Sequence, residues 1–135
     1  MAVGSCVVRD ATLSTIDARC DIRLGWSEEL ESSWRALGLA ELPGRVTRLD
    51  RGWSTVLRNL DAEPLRVRNI GAEVAVGDWV VPSVELDRVE AVLPRRSAFV
   101  RRASFEGNRA ESQTIAANID VVMLIHALTS PPNQR

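Results

Sequence analysis

Arginine is the only strongly basic residue type in this chain: all 17 Lys+Arg positions are arginine. A guanidinium is a planar, always-charged fork that pairs bidentately with phosphate and stacks on bases or aromatic rings. The arginines are distributed unevenly. Residues 1–43 hold seven acids and four arginines, whereas residues 44–102 hold eleven arginines and eight acids, within an overall formal charge of -1. The middle of the chain therefore carries a mild, purely guanidinium excess, smaller than that of strong nucleic-acid binders. Arg45, Arg48, Arg51, Arg58, Arg66 and Arg68 are the candidates for phosphate contact there, joined by the pairs Arg95-Arg96 and Arg101-Arg102. Trp53, just after Arg51-Gly52, is the candidate platform for stacking an unpaired base, and Phe99, bracketed by the arginine pairs, is a second. The competing reading is a solvated surface neutralised by Asp50, Asp61, Glu63 and Asp87, with Trp53 in the core and Phe99 anchoring its segment.

Other chemistries find little support. Asp78 sits in a Gly-Asp turn without a positioned partner, and Asp120 and His126, six residues apart, share one side of an extended run; neither makes a catalytic site. Cys6, Cys20 and the single His126 are too few and too scattered for a metal, and no cofactor is expected in this chain. The two cysteines are expected as free thiols, since they pair only in an oxidising compartment. No window reaches the ~20 apolar residues that cross a bilayer, and Arg9-Asp10 interrupts the N-terminus before a secretory apolar stretch can form. A cytoplasmic protein without membrane contact is expected.

The elements that must carry these arginines follow from period and punctuation. Residues 26–38, WSEELESSWRALG, read as a helix capped by Ser27, with Glu28 and Glu29 at its positive end, Leu30, Trp34 and Leu37 on one face, and Gly38 as its left-handed stop. From 44 to 93 the period is two. Strands are expected at 44–50, 53–59, 64–70, 76–82 and 86–93, separated by short turns rich in glycine, proline or acids. In the third, Leu65 and Val67 face one way and Arg66 and Arg68 the other. Five short antiparallel strands suit a small closed barrel; an open meander packed on the helix is the alternative. Residues 94–113 read as a basic linker. In AANIDVVMLIHAL, which follows, the mostly unbroken apolar run from Ile119 to Leu128, with Asp120 and His126 as exceptions, suits a strand buried on both faces of a parallel α/β sheet. The expected division is therefore an arm and helix at 1–43, a barrel at 44–93 that carries the candidate RNA-binding arginines, a connector at 94–113 and the first strand of a second domain at 114–135. On that division, deleting 112–135 should leave the barrel folded.

Four segments, GRVTRLDRG (44–52), VGDWV (76–80), VLPRRSAFVRRA (92–103) and QTIAANIDVVMLIHAL (113–128), resemble in order and spacing the ribosome-small-subunit-dependent GTPase A family. VGDWV alone is an ordinary strand turn; LPRRS…RRA…AANID is the specific combination. The likeness spans about residues 42–128. It implies a mainly β chain whose five strands form an OB-fold-like antiparallel barrel that contacts small-subunit ribosomal RNA, followed by the opening strand of a circularly permuted GTPase domain. It also implies a role in small-subunit maturation, with the small ribosomal subunit and its rRNA as partners; DNA is not expected as a partner, and a monomer is. In that family Arg51-Gly52 is the barrel turn, Gly77-Asp78 the strand-four turn, Arg95, Arg96, Arg101 and Arg102 the basic connector, and Ala116–Leu128 the start of the GTPase sheet. The sequence departs from the family in holding neither Asn-Lys-x-Asp nor G-x-x-x-x-G-K-[ST]. Without P-loop amides and lysine nothing cradles the β- and γ-phosphates, so these 135 residues are expected to hydrolyse no GTP. GTP, magnesium and a structural zinc are expected only in the family's remaining sequence. Two readings compete: a small barrel that binds a protein partner through its apolar terminal strand, and an ordinary GTPase whose chain continues past Arg135.

Overall fold

The fold is known from a computed structural model, which describes residues 20–102 and 112–125. Its first regular element is a 3₁₀ turn at Ile22–Leu24, capped by the Asp21 carboxylate and closed by Gly25 in the left-handed region. Helix α1 spans Glu28–Leu37; the Ser27 hydroxyl accepts from the Leu30 amide and Gly38, at φ 64°, ends it. A cap of this kind contributes roughly 1 kcal/mol. Leu30 and Trp34 pack inward as the spacing requires, but Leu37 is half exposed and Leu39 completes the apolar contact in its place.

The expected strands all appear, the first at its expected bounds and the other four shortened: β1 Gly44–Asp50, β2 Trp53–Leu57, β3 Leu65–Arg68, β4 Trp79–Pro82 and β5 Val89–Val92. They form one antiparallel sheet ordered β3-β2-β1-β4-β5. The sheet curls until its two edges meet at a single parallel bridge, Arg68 to Arg88, with the Arg68 amide donating to the Asp87 carbonyl at 2.8 Å. The fold is thus mainly β, a five-stranded antiparallel sheet whose edges are joined at one point and not along the continuous ladder of a closed barrel. Val46, Val56, Val67, Val80 and Val89 fill the concave side. Burying each such side chain contributes about 1.5–3 kcal/mol.

A second apolar layer lies outside. Trp79, Val81 and Leu93 are covered by Leu24, Trp26, Leu30, Trp34 and Leu39, so β4 is buried on both faces. Trp26 meets Trp79 edge-on at 4.8 Å, and the Trp34 indole donates to the Glu41 carbonyl at 3.0 Å. Cys20 is buried behind β1 and donates to the Pro43 carbonyl; burial, followed by the Glu31 charge, pushes its thiol up to about 11.

Two expectations about the C-terminal third need correction. Much of the segment expected as a linker is a hairpin, β6 Ala98–Arg102 paired with β7 Ser112–Ala117. The strand expected over Ala116–Leu128 instead runs from Ser112 to Ala117 and stops at Asn118, whose φ of 53° turns the chain. Beyond it Val121, Val122, Met123, Leu124 and Ile125 belong to no helix or strand and are exposed. An apolar run makes a strand only where a neighbouring backbone offers hydrogen bonds, and among the described residues no strand pairs with these. His126 and the tail lie outside the described residues.

Candidate nucleic-acid interface

Register decides which arginines share a surface. Across β1, β2 and β3, Arg48 stands opposite Thr55 and Thr55 opposite Arg66; in the next row Asp50 faces Trp53 and Trp53 faces Arg68. All of these point to the convex side, because their alternating neighbours Leu49, Ser54, Val56, Leu65 and Val67 line or adjoin the core. Simple alternation would place Arg45 and Arg48 on opposite faces. A register shift between Val46 and Arg48 turns both outward, the usual effect of a β-bulge. Helix α1 covers the β4–β5 half of the convex side and leaves the β1–β3 half open.

At the centre of the open half is Trp53. Its ring is half-buried, with the Arg66 guanidinium 4.8 Å and the Arg68 guanidinium 5.0 Å from the ring centroid. Each contact contributes about 0.5–1 kcal/mol at an exposed site. Arg48 lies alongside, in a loose 4.0 Å pair with Asp50 in which both side chains are mostly exposed; such pairs hold little energy. Arg51 projects from the two-residue β1–β2 turn, where it and Gly52 both have positive φ, 42° and 82°. This is the hairpin geometry for which Asn-Gly is the preferred pair. At the same end, the Ser83 hydroxyl followed by the nearby charges of Arg88 and Arg68 holds the Asp87 carboxyl below the usual carboxylate range.

Most of the remaining arginine candidates have hydrogen-bond partners within the fold. Arg45 donates to the Leu24 carbonyl through one nitrogen and to the Asn118 carbonyl through the other, at 2.9 Å in the second case. Arg58 is largely buried and pairs with Glu41 at 3.2 Å. Arg95 holds the buried Asp78 carboxylate with two 2.8 Å bonds and also reaches Thr114 and the Glu73 carbonyl; these bonds push its guanidinium still further toward the charged form. Arg96 pairs with Asp120. Arg101 is exposed on β6 and donates to Gln113. The Arg102 backbone ends β6, and its side chain lies outside the described residues. Phe99 is half exposed on the same hairpin, well separated in sequence from Trp53.

Asp78 and Asp120 thus have structural partners in arginines. Among the described residues, no three His, Cys, Asp or Glu side chains gather as metal ligands, and no helix is long and apolar enough to cross a membrane. A cleft of about 650 Å³ separates the start of α1 from residues 94–96 and 118–120; Glu28, Glu29, Arg45 and Arg96 give it mixed charge. Sequence reasoning missed Asn118, which is buried and joins three segments. Its side chain donates to the Gly77 carbonyl at 2.9 Å and accepts from the Arg96 amide at 2.8 Å, while its own amide donates to the Ser97 carbonyl. The only sequence signal was its place within AANID.

Comparison with known proteins gives a consistent result. The chain is 40% identical over 112 residues to the small ribosomal subunit biogenesis GTPase RsgA of Streptomyces coelicolor, covering 71% of this chain and 28% of that protein. It is 38% identical over 120 residues to the RsgA of Streptomyces avermitilis, covering 77% and 30%. With the RsgA of Xanthomonas oryzae pv. oryzae the identity is 38% over 117 residues, covering 78% and 31%. Over that stretch the chain is a homologue of RsgA. It spans about three-tenths of the length of these RsgA relatives. No family model matches it. The likeness to RsgA agrees with the family read from GRVTRLDRG and LPRRS…RRA…AANID.

Proposed function

We propose that this chain is the RNA-binding portion of a small-ribosomal-subunit biogenesis GTPase, acting in the cytoplasm on small-subunit rRNA through the open convex face of β1, β2 and β3. One observation carries the reading: Arg66 and Arg68 lie against the Trp53 ring, with Arg48 exposed on the neighbouring strand row, on the half of the sheet that α1 does not cover. The names of the RsgA relatives supply the small subunit as the setting. GTP hydrolysis belongs in this reading to sequence beyond these 135 residues, with GTP, magnesium and zinc bound there and not here.

Co-sedimentation with purified small ribosomal subunits tests the reading. The wild-type chain should pellet with the subunit at low salt, and the Arg66→Gln/Arg68→Gln variant should stay in the supernatant while melting normally. Equal pelleting of the two would overturn the assignment of this face.

The exposed run Val121–Ile125 favours a second reading, in which the chain docks on a protein through that segment. In that case removing the run, and not the two arginines, abolishes sedimentation.

A further inference from the structure

Arg66 and Arg68 crowd one indole ring, and among the described residues neither forms an ion pair with a carboxylate. The Asp87 carboxylate feels the charge of Arg68 but is held by the Ser83 hydroxyl, and the loose pair of Asp50 is with Arg48. The two guanidiniums are i, i+2 on one strand face, so they repel each other, and among the described residues the ring is the group that lies against both. Among the described residues such a site has neither an anion paired with its guanidiniums nor a second ring stacked on its indole, the nearby Asp50 being paired with Arg48. A nucleotide supplies both, a phosphate for the guanidiniums and a flat base for the ring or for a guanidinium plane.

The shape of the site narrows the choice. Trp53 is half-buried within a strand row, between Asp50 on one side and Arg68 on the other, and does not project. An A-form duplex hides its base faces in the stack and keeps its major groove deep and narrow, whereas an unpaired base can be splayed onto an aromatic ring. A ring that lies low on a sheet cannot enter a duplex, so the base must come to it. We propose that the Trp53–Arg66–Arg68 cluster is a subsite for a base of unpaired RNA, stacked at the indole, with its flanking phosphate on the guanidiniums. This rests on the RNA-binding reading above and adds the class of RNA that the face selects.

The test is fluorescence titration of the full chain with oligouridine and with the oligoadenosine–oligouridine duplex. The single strand should bind about tenfold more tightly than the duplex, because only it offers a free base face. It should quench tryptophan emission in the wild type and not in Trp53→Leu. Trp53→Leu should weaken single-strand binding by roughly fivefold or more and leave duplex binding nearly unchanged, whereas Trp53→Phe, which keeps a ring, should retain most of the affinity. Equal affinity for strand and duplex, with Trp53→Leu silent and Arg66→Gln/Arg68→Gln weakening both, would overturn the stacking subsite and leave RNA binding standing. Binding to neither RNA would overturn both.

Discussion

Arg95 grips Asp78 side-on, Nε to Oδ1 and Nη2 to Oδ2, both at 2.8 Å, and so fastens the segment after β5 to the turn before β4. The Asp78 side chain is fully buried and Arg95 is one quarter exposed. The second carboxylate oxygen also accepts from the Ala75 amide at 2.7 Å. Removing one partner of a buried pair leaves an uncompensated charge, at a cost of about 3–5 kcal/mol. Arg95→Gln and Asp78→Asn should therefore each lower the urea midpoint sharply. If either variant melts like the wild type, this clamp is not what secures the hairpin to the sheet.

Gly77 lies where the same two pieces touch. Its φ is 91°, and a Cβ there would come within 2.1 Å of the Ala117 carbonyl oxygen, which is backbone and cannot rotate away. Gly77→Ala should thus cost about 3 kcal/mol or more, combining left-handed strain with overpacking. Gly52→Ala, at φ 82° but with open space around it, should cost only the conformational term of about 1–2 kcal/mol. Equilibrium unfolding of the two variants side by side checks the difference.

Truncation distinguishes the latch from the tail. Ala117 and Asn118 are buried against Val76, Gly77 and Ser97, while Val121 to Ile125 are exposed. Deleting residues 121–135 should leave the thermal melt within a few degrees of wild type. Deleting 112–135, which the linear reading of the chain treats as harmless, removes β7 and Asn118 and should destabilise the sheet. A normal melt for the longer deletion would show that the hairpin is an appendage.

The acid limb of stability has an identifiable source. The Arg23 side chain, through its hydrogen bonds, holds the Asp21 carboxyl down to about 2 from an ordinary 3.8, with further help from the amides of Arg23 and Leu60. A carboxyl depressed in the folded state stabilises the protein above its unfolded pKa, and that contribution fades as pH falls through the folded value. Stability should therefore decline between about pH 4 and pH 2, and Asp21→Asn should flatten that limb while lowering stability at neutral pH. Urea melts of both proteins across this range are the check; identical acid slopes would remove Asp21 as the cause.

Much of this was legible in the residues. The strand alternation of Leu65, Arg66, Val67 and Arg68 places the two arginines outward, and the structure agrees. The turn at Arg51-Gly52 and the caps Ser27 and Gly38 also stand where local chemistry puts them. What sequence could not show is which arginines the fold itself uses. Arg45, Arg58 and Arg95 look like Arg48 and Arg66 in the linear chain; their partners, Asn118, Glu41 and Asp78, are 73, 17 and 17 residues away. The hairpin β6–β7 was missed because Arg95-Arg96 and Arg101-Arg102 read as a solvated linker, and because its strands are separated by residues 103–111. The apolar stretch after Asn118 has strand composition but, among the described residues, no partner strand, and composition cannot provide one.

The central claim is that four outward guanidiniums, Arg48, Arg51, Arg66 and Arg68, meet RNA phosphates around Trp53. Its most direct test is the salt dependence of binding to unpaired small-subunit rRNA. At roughly 0.7 counterion released per phosphate contact, four contacts give a log–log slope near ~3. Arg66→Gln/Arg68→Gln should reduce the slope by about 1.4 with the fold intact. A wild-type slope near zero, or one that the double variant leaves unchanged, would contradict the account.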